Sequence, residues 1–181
     1  MKSKFEEKTL KEKTIYKGKI LDLKKIDVLM PNARKAVREI IDHCLSVCAL
    51  LITRENKIVL VGQYRKAVEE YLWEIPAGLV EKGEDPKKAI ARELFEEVGS
   101  KVTKIKKLVQ FYPTPGFCNE SLILYYAKEI KREFQHTEDD ENIKIIEVSI
   151  NEALSMINNG SIHDSKSIIA ILHYRVFGNN Y

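Results

Sequence analysis

From Leu45 to Thr53 the chain is almost continuously apolar, the pattern of a central strand covered on both faces. A polar turn at Arg54-Glu55-Asn56 separates it from a second apolar run, Lys57 to Arg65, read as the next strand. Further strands are expected at Ile105–Tyr112, Leu122–Ala127 and Ile143–Val148. Helical spacing of apolar residues appears at 86–98, 150–158 and about 164–177; in the last, Ile168, Ile169, Ala170, Leu172 and Val176 precede a stop at Gly178. Ahead of all this, Thr14–Tyr16, Lys19–Leu23 and Ile26–Met30 read as short strands, Pro31–Arg34 as a turn, and Ala36–Ile41 as a returning strand. That N-terminal unit has too little apolar surface to stand alone. The pattern divides the chain into a β unit over 1–42 and a larger domain over 43–181. Strands with interspersed helices, and few βαβ repeats, predict an α+β fold with a mixed sheet between helices.

Composition adds boundaries. Apolar residues make up 44% and charged residues 31%, which is globular rather than disordered. Thirty basic residues against 27 acidic ones leave a formal charge of +3, too small and too even for a nucleic-acid polymer as partner. No stretch is long and apolar enough to span a membrane, and the charged start, MKSKFEEKTLKEKT, does not read as a signal peptide. Cys44, Cys48 and Cys118 form no CxxC pair, and Cys44 and Cys48 are expected in buried strand as small apolar residues of a reducing compartment. The expected location is the cytoplasm.

The chemically informative stretch runs from Gly78 to Gly99. Asp85 suits an N-cap, Pro86 the first helical position, and Gly99 the stop. On this helix Ile90, Ala91, Leu94, Phe95 and Val98 form an apolar arc, and Arg92, Glu93, Glu96 and Glu97 lie opposite. Glu93 and Glu97 share a face one turn apart, with Glu96 beside them. A solvated helix face would interleave lysines with such acids, and none follows here. Clustered oxygens short of counter-charge are what a hard cation such as Mg²⁺ needs.

The stretch resembles the Nudix box: a Gly, five residues, a Glu, seven residues, Arg-Glu, an aliphatic, any residue, Glu-Glu, any residue, Gly. Gly78, Glu84, Arg92, Glu93, Leu94, Glu96, Glu97 and Gly99 fall in register, and Ser100 departs where an aliphatic residue is usual. The resemblance implies a Nudix α/β/α sandwich that hydrolyses a pyrophosphate bond with divalent metal, Mg²⁺ or Mn²⁺. It also implies Glu93 and Glu97 as principal metal ligands, joined by the Ala77 carbonyl and Glu96. Arg92 is then expected to orient a box glutamate, and Glu84 to serve as an orienting group.

Outside the box, Gln63-Tyr64-Arg65, Trp73-Glu74-Ile75-Pro76-Ala77-Gly78 and Pro115-Gly116-Phe117 resemble bacterial ADP-ribose pyrophosphatases. Pro115, sixteen residues past Gly99, is the position that tends to mark that subfamily. The implied substrate is ADP-ribose, with Arg65 on phosphate and Glu120 on ribose or adenine; Trp73, Glu74, Pro115, Gly116 and Phe117 complete the expected contacts. Trp73 suits the core better than a stacking platform, and Pro113 and Pro115 would equally shape a turn. Relatives draw a general base from a late acidic loop; Glu141 is the first choice in Glu138–Glu141 and Asp139 the second. The subfamily also implies a homodimer with exchanged N-terminal strands. Another nucleoside diphosphate sugar such as a GDP-hexose, or a dinucleotide, fits the box equally. A non-catalytic nucleotide sensor fits less well, because Glu93, Glu96 and Glu97 are intact.

Overall fold

The computed structural model describes residues 4–133 and 143–178 and divides the chain into two compact units. The first holds the N-terminal residues to Leu45 together with Tyr112–Ser121, and the second holds Ser46–Phe111 and the chain from Leu122 onward.

In the first unit, β1 (Lys8–Lys17), β2 (Leu21–Leu29) and β3 (Lys35–His43) form an antiparallel sheet in that order. Lys24-Lys25 does not split β2 as the sequence reading expects; the strand runs through both lysines, paired with Ile40 and Glu39. The charged run Lys8–Lys13 is strand as well. Cys44 lies past β3 and is exposed, not in buried strand; Cys48 and Cys118 are buried, and none of the three is in a disulfide. Tyr112–Ser121 docks on β3 through Ile41 N–H to the Phe117 carbonyl (2.7 Å) and Asn119 N–H to the Ile41 carbonyl (3.1 Å). Asn119 adds side-chain bonds, donating to Asp42 at 2.6 Å and accepting from the His43 N–H at 2.8 Å.

The second unit is built on a seven-stranded mixed sheet. Its strands are β4 (Ser46–Ile52), β5 (Ile58–Arg65), β6 (Glu70–Glu74), β7 (Ala77–Leu79), β8 (Ser100–Phe111), β9 (Leu122–Arg132) and β10 (Lys144–Val148). The main path is β10-β5-β4-β9-β8, with β6 on β5 and β7 on β4; β4 and β9 are parallel and the other pairs antiparallel. Every residue of β4 is buried, so both faces are covered. Cys48, Leu50 and Ile52 join a core with Ala153, Ala170 and Ile171. Val47, Ala49 and Leu51 alternate to the other face. Among the described residues three helices flank the sheet: α1 (Pro86–Val98), α2 (Ile150–Asn158) and α3 (Ser165–Phe177). Both α1 and α3 contact β4.

The α1 boundaries follow from local chemistry. The Asp85 carboxylate accepts from the Lys87 and Lys88 amides, Pro86 opens the helix, and Gly99 closes it at φ 67°. Ala89, Ile90, Leu94 and Val98 are buried. Ser100, the departure from the box, is fully buried, and its hydroxyl donates to buried Glu129 at 2.7 Å. Arg132 Nε reaches the same Glu129 oxygen at 2.9 Å, so the polar substitution sits inside a satisfied pair rather than an apolar contact. No described helix is long and apolar enough to cross a membrane.

Candidate active site

Register brings the two halves of the acidic centre together. The β7 pairing sets Ala77 opposite Cys48 and Gly78 opposite Val47, both fixed in buried β4. Donors of the entering segment are then accounted for: Ile75 N–H bonds the Ser167 hydroxyl at 2.8 Å, Pro76 has none, and Ala77 N–H reaches Glu97 at 3.3 Å. At Gly78 a Cβ would stand 2.0 Å from the Glu93 carboxyl carbon. Only glycine lets that carboxylate rest on the β7 backbone. Glu93, Glu97 and the Ala77-Gly78 backbone therefore meet at one place.

Arg92 organises the rest. Its Nε and Nη2 grip the two oxygens of Glu84 at 3.1 and 3.0 Å, Nη1 donates to Glu93 at 2.7 Å and Glu96 at 3.0 Å, and Nη2 also reaches the Leu79 carbonyl at 3.1 Å. One guanidinium thus ties the loop after β7 to α1. The Glu84 bond foremost, then Glu93 and Glu96, raises the affinity of Arg92 for its proton, and Arg92 in turn holds the Glu84 carboxyl below its usual range. Burial, together with the charges of Glu96 and Glu84, pushes the Glu93 carboxyl above its ordinary value despite the Arg92 bond. Three carboxylates share one guanidinium and Glu97 lies against the Ala77 amide beside them, so negative charge is in excess.

Behind the centre, Arg65 donates from Nε and Nη2 to the two oxygens of Glu74, both at 2.8 Å. Glu74 is 2% exposed and also accepts from Lys166, which bonds Asp164 at 3.0 Å. Burial alone would raise the Glu74 carboxyl; the Arg65 bond, with Lys166, brings it below the usual value. Arg65 feels the charge of Glu97, which puts it in electrostatic reach of the box. Trp73 is half-buried on the core and meets Tyr71 edge-on at 5.6 Å. Gly62 makes room for that pair, since its Cβ would come 2.3 Å from the Tyr71 hydroxyl.

The remaining expected contacts lie in the first unit. Pro115, Gly116 and Phe117 are exposed, with Cys118 N–H closing a turn on the Thr114 carbonyl at 3.2 Å. Glu120 stands 3.8 Å from His43 Nδ1. Glu141 and Asp139 lie outside the described residues. Lys166, Asp164 and Ser167 carry no sequence signal beyond a helix start, yet they support the Trp-Glu-Ile-Pro segment directly.

The residues present fit a divalent cation: oxygen donors, glycine-backed approach and a charge excess are what hard ions require. Among the described residues no three His, Cys, Asp or Glu side chains form one ligand shell, and Arg92 engages Glu93 and Glu96. An acidic centre of this kind, on a mixed sheet flanked by helices, suits metal-assisted hydrolysis of an anionic substrate. The chain belongs to the Nudix family, whose NUDIX domain model matches residues 42–168, and it is a Nudix hydrolase working with divalent metal. It is 42% identical over 174 residues to a methanol dehydrogenase activator of Bacillus methanolicus, covering 95% of this chain and 94% of that protein. It is 38% identical over 178 residues to an ADP-ribose pyrophosphatase of Bacillus subtilis (strain 168), covering 97% and 96%. The fold matches a crystal structure of an ADP compounds hydrolase at a TM-score of 0.87 and 18% identity, covering 99% of this chain and 98% of that one.

Replacing Gly78 with Ala is expected to displace Glu93 and lower kcat at least about a hundredfold while the circular dichroism spectrum stays that of the parent. Unchanged turnover in this variant would remove Glu93 from the site.

Proposed function

We propose that this hydrolase cleaves the pyrophosphate bond of ADP-ribose, with Mg²⁺ as its ion and Mn²⁺ as a substitute. Water adds to one phosphorus, the P–O–P bridge breaks, and AMP and ribose 5-phosphate are released. The observation that carries the substrate is the likeness to the Bacillus subtilis ADP-ribose pyrophosphatase along almost the whole of both chains. Glu93, Glu97 and the Ala77 carbonyl would hold divalent ions, with Glu96 contributing. When bound, these would neutralise the diphosphate oxygens and make water a nucleophile at neutral pH. Arg92 keeps those carboxylates oriented, and Glu84 anchors Arg92. Arg65 binds a phosphate oxygen, and Trp73 lines the pocket beside it. Glu74 lies behind Arg65 as its anchor. Pro115, Gly116, Phe117 and Glu120 serve the nucleoside end, and Glu141, or else Asp139, takes the proton from water.

In this reading the protein is a cytoplasmic homodimer that exchanges its N-terminal strands. All ten residues of β1 are exposed, among them Leu10, Ile15 and Tyr16, and a second copy would cover them. A second functional reading rests on the Bacillus methanolicus relative: the same hydrolysis would serve to activate a dehydrogenase.

Purified protein incubated with ADP-ribose, GDP-mannose and dinucleotides, with Mg²⁺ and with chelator, is expected to release AMP fastest from ADP-ribose and to stop without metal. Preference for another sugar nucleotide would keep the bond and overturn the substrate. In the same assay Glu141→Gln should lose about a hundredfold or more in kcat and Asp139→Asn much less; near-parental rates for both would exclude a base from this loop. Light scattering at micromolar concentration should return about twice the mass of one chain, and a monomer would overturn the exchanged dimer.

A further inference from the structure

We infer that Lys166, in the first turn of α3, is a positioning residue for Arg65, acting through the buried carboxylate of Glu74. The inference rests on the proposed contact of Arg65 with phosphate. Glu74 is anchored by cations from two different elements, Arg65 at the end of β5 and Lys166 on α3. Lys166 is itself fixed, 13% exposed, by Asp164, the N-cap of α3. Asp164 also accepts from the Ser167 amide at 3.0 Å and the Ser167 hydroxyl at 2.6 Å, and that hydroxyl accepts from Ile75 N–H. Ile75, just past the end of β6, and the carboxylate of Glu74 are thus both tied to one helical turn.

Two physical consequences follow for Arg65. Its Nε and Nη2 are spent on Glu74 in a bidentate pair, so the plane of the guanidinium follows the plane of that carboxylate. Among the described residues Nη1 is the guanidinium nitrogen that neither Glu74 bond uses. Charge matters as well. Glu74 and Asp164 are balanced by Arg65 and Lys166, and the group of four is neutral. Without Lys166 the two carboxylates outweigh Arg65 by one charge, beside a site that must receive an anionic diphosphate. Removing Lys166 therefore frees the carboxylate that orients Arg65 and makes its surroundings repel substrate.

The test is a double-mutant cycle on the full chain with ADP-ribose and Mg²⁺. Lys166→Met is expected to raise KM roughly tenfold with kcat within about twofold, and Lys166→Arg to restore most of the loss. In an Arg65→Ala background Lys166→Met should raise KM by clearly less than in the parent, because only the charge effect is left to lose; fully additive effects, or an unchanged KM in Lys166→Met, overturn the inference. Should Lys166→Met fail to fold, Lys166→Gln takes its place in the cycle. If Arg65→Ala alone leaves KM unchanged, the phosphate contact of Arg65 has failed, and positioning is read instead from the Arg65 Nε–H signal by nuclear magnetic resonance. Slow hydrogen exchange there in the parent, accelerated in Lys166→Met, upholds the positioning role; equal exchange in both overturns it.

Discussion

The site depends on one guanidinium placed among too many carboxylates. Arg92 bonds Glu84, Glu93 and Glu96 at once and caps the Leu79 carbonyl, so a loop and a helix that would repel each other are held in register. A second arginine would cancel more of the charge that a cation needs; without Arg92 the loop after β7 would lose its tie to α1. With one, geometry is fixed while negative charge remains. Burial foremost, and then the charges of Glu96 and Glu84, holds the Glu93 carboxyl above its ordinary range. A centre in this state is completed by a divalent cation.

Precision in that cluster comes from the sheet beneath it. The β4 strand is buried throughout, and it carries β7 by pairing Cys48 with Ala77. Backbone on β7 sets where Glu93 can lie, because Gly78 leaves no side chain between them. On the opposite flank the buried Glu74 fixes Arg65, and its own hold depends on α3. Residues distant in sequence thus set the angles of charged groups that meet the substrate in the proposed reaction, a division in which packed elements supply stiffness and a few polar bonds supply aim.

Much of this was legible in the chain because its signals are local. Asp85, Pro86 and Gly99 bound α1, and continuous apolar runs mark β4 and β5. Where signals are weak the reading fell short. The Lys8–Lys13 segment is an exposed strand whose polar residues on both faces erase the alternation that marks a half-buried one. β8 begins at Ser100 rather than 105 for the same reason, with lysines along its outer edge. β6 and β7 are short and separated at Ile75-Pro76, so neither offers a pattern of its own. Cys44 follows the apolar tendency of its neighbours in sequence and lies exposed in the connection before β4. Lys166 gives no warning, since its partner Glu74 is 92 positions away and a lysine beside a helix cap is ordinary.

Tyr112–Ser121 interrupts the chain between β8 and β9, yet its backbone bonds go to Ile41 of β3. The loop is anchored in one unit while its ends are held by the other unit's neighbouring strands, whose pairing closes at Phe111 and Leu122. The register of β8 against β9 is thus set by residues outside this segment. If Pro115, Gly116, Phe117 and Glu120 serve the nucleoside end as proposed, recognition could be edited in this segment without touching the residues of the box. Such modularity gives related chains a physical route to divergent substrates on one conserved reaction.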